Sequence, residues 1–122
     1  MTTTQETKEC SSCSFQGPLT AFYKGNQCRT CLYEAARRRK LRLRYGITPE
    51  EYDSLYQQQY GCCAICGIHQ SKLHTTLAVD HNHDTKEVRG LLCFDCNTGI
   101  GKLQDNYDII IKAAEYLRSF TG

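Results

Sequence analysis

C-A-I-C-G-I-H-Q-S-K-L-H-T-T-L-A-V-D-H-N-H-D-T-K-E-V-R-G-L-L-C-F-D-C-N, residues 63–97, carries two C-x-x-C pairs around a central Asp80-His81-Asn82-His83. Cys63, Cys66, Cys93 and Cys96 have the spacing of a closed four-thiolate zinc site. Gly67, directly after the first pair, supplies the φ freedom that a knuckle turn needs. Between the pairs, Leu77-Ala78-Val79 reads as a short strand and Asp84-Thr85-Lys86 as a turn. Val88-Arg89-Gly90-Leu91-Leu92 reads as the return strand. A helix is expected to follow the last pair through Asn97. The stretch therefore predicts a hairpin and a helix clamped by a metal ion.

A four-thiolate site has no open position, so its role is structural. The residues between the pairs are of another kind. Asp80 and the amide oxygen of Asn97 are hard donors suited to Mg²⁺ or Mn²⁺, which needs only one or two protein oxygens and takes the rest from water and phosphate. The second cysteine pair would return Asn97 to the hairpin that carries Asp80, so the zinc preorganises the second site. His81 is a natural general base at neutral pH. His83 could hold phosphate or orient His81, and Arg89 could clamp the scissile phosphate; each has an equally good structural reading. Asp80 and His81 are neighbours, and on a regular strand neighbours face opposite sides. One site can use both only where the strand ends or bulges. These residues together point to metal-assisted phosphodiester hydrolysis.

Moving outward, Cys10, Cys13, Cys28 and Cys31 form a second zinc-type set, with a Gly17-Pro18 turn between its pairs. Residues 1–8 are expected to fray. Cys62 is the odd ninth cysteine and could replace Cys63, although the C-x-x-C spacing favours Cys63. His69 and His74 lie in a polar loop and are left unassigned. From Arg29 to Tyr45 the chain reads as a helix, with Leu32, Ala35, Ala36 and Leu43 recurring at helical spacing. Arg37, Arg38, Arg39, Lys40, Arg42 and Arg44 place six cations within eight residues. That density suggests phosphate contact by Arg37, Arg38, Lys40, Arg42 and Arg44 rather than solubility alone. Gly46 ends this helix. Thr48-Pro49-Glu50-Glu51 opens another as a capping box, with Tyr52, Leu55, Tyr56 and Gln59 on one face and Tyr60-Gly61 closing it. Asn106 to Phe120 reads as an amphipathic helix whose stripe of Ile109, Ile110, Ala113, Leu117 and Phe120 is core or a dimer surface.

The 122 residues amount to one small domain or two metal-stapled modules, too small to rely on an apolar core alone. Met1 to Lys8 lacks a leader-like apolar run, and no segment is long enough to span a membrane. The expected setting is a reducing cytoplasm, where paired cysteines favour zinc over disulfides. Eight thiolates and two Zn²⁺ would add four negative charges to the formal +2, giving about −2. Nucleic-acid affinity must then come from the placement of the cations.

V-D-H-N-H, V-R-G-L-L-C and the C-N after the last pair resemble the recombination endonuclease VII family of HNH-type, ββα-metal (His-Me finger) nucleases. Y-G-I-T-P-E-E-Y, ahead of Cys63, is also similar to phage and bacterial members. The resemblance is close over residues 45–106 and loose over the first four cysteines. It implies an α+β fold: a ββα-metal core over 46–122, behind an N-terminal zinc module and basic helix over 1–45. It implies that Asp80 and Asn97 bind Mg²⁺, that His81 is the base, and that Cys63, Cys66, Cys93 and Cys96 bind zinc. The substrate would be DNA in a bacterial cytoplasm, with a phage-borne gene among the sources. Some members carry a carboxylate where this chain has Ile100. Only 26 residues follow Cys96, so the long dimerising helices of the junction-resolving enzyme are short or missing. Junction resolution takes two coordinated cuts and hence usually a homodimer, whereas simple nicking needs no partner. The competing reading is a non-catalytic double zinc module that binds nucleic acid through its basic helix.

Overall fold

The computed structural model describes residues 6–120. They form an α+β chain of four α-helices and two small antiparallel sheets. The chain divides into two compact units, one ending at Pro49 and one beginning at Glu50.

In the first unit, strand β1 (Thr7–Glu9) pairs with β2 (Gln16–Pro18), Lys8 opposite Gly17. Residues 7 and 8 are therefore strand, where fraying was expected; residues 1–5 lie outside the described residues. Gly17 and Pro18 belong to β2 and make no turn. A side chain at Gly17 would meet the Phe15 ring at 2.5 Å, so the half-exposed ring lies over a position with no Cβ. The turn is instead the Cys10–Ser14 knuckle, where the Cys10 N–H donates to the Phe15 carbonyl at 2.7 Å. Cys10, Phe22 and Cys28 are the buried centre, with Ala21 and Cys31 against them.

Helix α1 spans Arg29–Tyr45 and ends at Gly46, which is left-handed and donates to the Arg42 and Leu41 carbonyls. Of the residues that recur at helical spacing, Leu32 is half-buried while Ala35, Ala36 and Leu43 are exposed; further along, the sheltered line is Arg37, Leu41 and Tyr45 at four-residue spacing. Alanines add so little apolar area that they cannot fix which face of a helix turns inward.

In the second unit, α2 (Pro49–Gln58) closes through left-handed Tyr60 and Gly61, as its sequence suggests. Strand β3 (Ala78–His81) pairs with β4 (Val88–Leu92). It runs two residues beyond the expected Val79, so Asp80 and His81 are both in the ladder. Between the strands, Asn82 Oδ1 accepts from the Asp84 and Thr85 N–H groups at 2.8 and 3.1 Å. This Asx turn makes Asn82 a turn-builder. Helix α3 begins at Phe94, earlier than Asn97, because the Cys93 side chain caps it by accepting the Cys96 N–H. It packs against both β3 and β4. Leu77, Val79, Leu91 and Leu92 are the buried apolar residues beneath. Helix α4 (Tyr107–Phe120) starts after Asn106, whose Oδ1 accepts the Ile109 N–H at 3.0 Å. Of its apolar stripe, Ile109, Ile110 and Ala113 are half-buried while Leu117 and Phe120 are exposed. No helix among the described residues is long and apolar enough to cross a membrane.

Candidate functional site

The eight paired cysteines form two clusters: Cys10, Cys13, Cys28 and Cys31, and Cys63, Cys66, Cys93 and Cys96. Within each, all four sulfurs lie within 4.8 Å of one another. Resolved S···S separations are 3.7 Å for Cys10–Cys31, 3.8 Å for Cys13–Cys28 and 3.8 Å for Cys66–Cys93. A tetrahedron with metal–sulfur bonds of about 2.3 Å has edges of about 3.8 Å. The sulfurs are too far apart for disulfides and correctly spaced for one ion in each cluster. Backbone N–H groups point at them: Cys28 to Cys10 Sγ at 3.3 Å, Ile65 to Cys63 Sγ at 3.4 Å. Gly67, at φ +78°, completes the second knuckle, and its N–H donates to the Cys63 carbonyl.

The thiols themselves call for a cation. The Cys28 N–H leads the backbone bonds that bring Cys10 down to about 6, while the neighbouring thiols, Cys13 first, push Cys31 up to about 12. In the second cluster burial opposes ionisation of Cys63, yet backbone N–H bonds still lower it to about 6. Burial and then the Cys93 thiol raise Cys96 to about 12. Four thiolates this close cannot all ionise without a positive centre among them.

Cys62 stands outside both clusters, its thiol directed to the Tyr60 carbonyl at 3.4 Å. Cys63 is thus the cluster member, as the spacing indicated. His69 caps a single helical turn at Gln70–Lys72 through Nδ1, which accepts the Ser71 N–H. His74 is exposed.

On the hairpin, Asp80 is a buried charge, 9% exposed. Asp80 pairs with Gly90 and His81 with Val88, so the register shifts between Asp80 and His81. Arg89 is the extra residue of a β-bulge on β4. Its guanidinium reaches across the ladder: Nε donates to Asp80 Oδ2 at 2.8 Å and Nη2 to Asp80 Oδ1 at 2.9 Å. The same group extends to a residue the sequence did not single out. Nη1 donates to Asp105 Oδ2 and Nη2 to Asp105 Oδ1, both at 2.9 Å. Four of the five guanidinium N–H bonds are engaged by two carboxylates, and one is left.

Asp105 sits between α3 and α4 with φ +52°, after Gln104 at φ +64°. These two left-handed residues fold the chain back so that the Asp105 N–H donates to the Ile100 carbonyl at 2.8 Å. Arg89 holds the Asp105 carboxyl below its usual range by hydrogen bonding, and the charges of Arg89 and His83 add to this. The rings of His81 and His83 are 5.0 Å apart. Asp80, His81, His83, Arg89 and Asp105 therefore form one neighbourhood. Asn97 is half-buried in the first part of α3, the helix packed on both strands.

The donor chemistry suits a hard divalent ion. Each Asp80 oxygen accepts one bond from Arg89, and a carboxylate offers about four lone-pair sites. Capacity for a cation remains without breaking the pair.

A family model described as recombination endonuclease VII matches residues 37–119. The chain is 42% identical over 122 residues to the Gene 59 protein of Mycobacterium phage D29, covering 91% of this chain and 73% of that protein. It is 39% identical over 121 residues to the Gene 59 protein of Mycobacterium phage L5, covering 90% and 73%. Among solved structures, it is similar to the ββα-Me type II restriction endonuclease Hpy99I, with a TM-score of 0.44 and 26% identity. That match covers 93% of this chain and 66% of the other.

Proposed function

Because the chain belongs to the recombination endonuclease VII family and is thereby a metal-dependent nuclease, we propose that it nicks duplex DNA. In this reading it is an HNH-type, His-Me finger endonuclease with His81 as general base and Asp80 and Asn97 as ligands of one Mg²⁺ or Mn²⁺ ion. The observation that carries the reading is the chain of contacts from Asp80 to His81: Arg89 joins Asp80 to Asp105, the charge of His83 reaches Asp105, and the His83 ring lies 5.0 Å from that of His81. A regular strand would send Asp80 and His81 to opposite faces; β3 ends at His81, so that alternation does not continue past it.

When bound, the divalent ion supplies positive charge for the phosphate and for the departing 3′ oxygen. His81 takes the proton from the attacking water on an imidazole nitrogen. His83, with its ring 5.0 Å away, orients His81 or holds a phosphate oxygen. Arg89 has a single uncommitted N–H, so its phosphate clamp is monodentate unless a carboxylate lets go. Both cysteine clusters hold zinc, which fixes hairpin and helix and takes no part in proton transfer. On α1, Arg37, Arg38, Lys40, Arg42 and Arg44 contact DNA phosphates. The zinc module and basic helix (1–45) act as one domain and the nuclease (46–122) as another. The protein works in the host cytoplasm, in keeping with its phage relatives. Nicking requires no partner, and a homodimer is called for only by paired cuts at junctions.

The test is nicking of supercoiled plasmid with Mg²⁺ or Mn²⁺, with and without chelator. The wild type is expected to nick, and His81→Ala to lose nicking while keeping DNA binding and two zinc ions per chain. Cutting that persists in His81→Ala removes that residue from the mechanism. DNA binding with no cutting by the wild type would leave a zinc-stabilised binder.

A further inference from the structure

We infer that Asp105 is a positioning residue that sets the affinity of the Asp80 site for a divalent cation, acting through the guanidinium they share. The inference rests on the reading of Asp80 as a metal ligand. Arg89 lies side-on to Asp80 through Nε and Nη2 and end-on to Asp105 through Nη1 and Nη2. With Asp80 and Arg89 alone, the carboxylate offered to the ion would be neutralised by its own partner. The second carboxylate returns the trio to a net charge of minus one. It also restrains Arg89 from both ends, so that an ion approaching the remaining lone pairs of Asp80 meets a guanidinium already drawn toward Asp105. The side chains of Asp80 and Asp105 are largely sheltered and that of Arg89 is about one third exposed, at 12%, 24% and 36%. Water screens these charges incompletely. The turn that delivers Asp105 spends two consecutive left-handed non-glycine residues, a backbone that side chains other than Asn and Asp adopt reluctantly.

The charge arithmetic makes the inference testable. Asp105→Asn retains shape, an acceptor oxygen and tolerance of the left-handed backbone, and leaves the trio neutral. Arg89→Gln leaves minus two, and the double variant returns to minus one. Mn²⁺ is titrated into zinc-loaded protein and its binding followed by the electron paramagnetic resonance signal of the free ion, with zinc content and circular dichroism as folding controls. Asp105→Asn is expected to bind Mn²⁺ about tenfold more weakly and Arg89→Gln about tenfold more tightly, roughly the effect of one unit charge on a divalent ion through mostly water-like screening. Arg89→Lys, which retains the charge, should stay close to wild type. The double variant should return to near the wild-type affinity, which loss of a merely structural contact would not do. Unchanged affinity in Asp105→Asn, or weaker binding in Arg89→Gln, overturns the inference. Wild-type Mn²⁺ affinity in Asp80→Asn would instead sink the metal-site reading beneath it, whatever the plasmid assay gives.

Discussion

Gln59 does the work of a strand. Its amide nitrogen donates to the Cys62 and Leu91 carbonyls at 2.8 and 2.9 Å, and its oxygen accepts the Leu91 N–H at 2.9 Å. Leu91 is fully buried, so its backbone groups have no water to turn to. Gln59→Ala is therefore expected to lower the stability of the zinc-loaded protein by about 2 kcal/mol, since the Leu91 N–H would be buried unpaired while its C=O keeps the Ala64 N–H at 3.1 Å. Guanidinium titration measures it, and a loss below about 1 kcal/mol would contradict this account of the clamp. The sequence grouped Gln59 with Tyr52, Leu55 and Tyr56 on one helical face but said nothing of its amide, because a bonding glutamine and a solvated one are spelled alike. The same limit applied to Arg89. Its position on the return strand was readable and its two partners were not.

At the scale of the element, α1 separates pattern from placement. Its bounds follow from Gly46 and from an uninterrupted run of helix formers. Its orientation does not, since six cations within eight residues blur any apolar stripe. Lys40 and Arg44 are one turn apart and exposed. If they touch phosphates, Lys40→Ala/Arg44→Ala should reduce the slope of log affinity against log salt by about 2, from roughly 0.9 per phosphate contact. Filter binding or fluorescence anisotropy at several salt concentrations measures it. An unchanged slope would mean those cations only face solvent. Helix α3 teaches the complementary point. A cysteine sulfur caps it, so the second ligand pair and the first turn of the helix are one structure and Asn97 follows in rigid register.

For the whole molecule, each of the two units contains its own four-sulfur cluster. Loss of one cluster should therefore cost one ion. Cys10→Ser and Cys63→Ser are each expected to lower the zinc content from two to one per chain. Cys63→Ser should abolish nicking, because its cluster ties the knuckle at Cys63–Gly67 to the junction of β4 and α3, whereas Cys10→Ser should weaken DNA binding and retain cutting. Metal analysis beside the plasmid assay measures both; equal loss of cutting in the two variants would refute this division of labour. Acidification should strip zinc from both clusters, since protons compete for the thiolates.

The cysteine sets, the α1 and α2 helices and the hairpin about Asp80 were all determined by local spelling. A C-x-x-C pair brings two sulfurs to one knuckle within a few residues, and turn and cap chemistry is equally short-range. The partnership of Asp80, Arg89 and Asp105 was decided by tertiary structure alone. A bulge turns one residue of β4 toward its neighbour strand, and a left-handed turn returns a carboxylate from 16 residues beyond Arg89. Which charges share a guanidinium depends on where folded elements meet in space, and no periodicity along the chain encodes that.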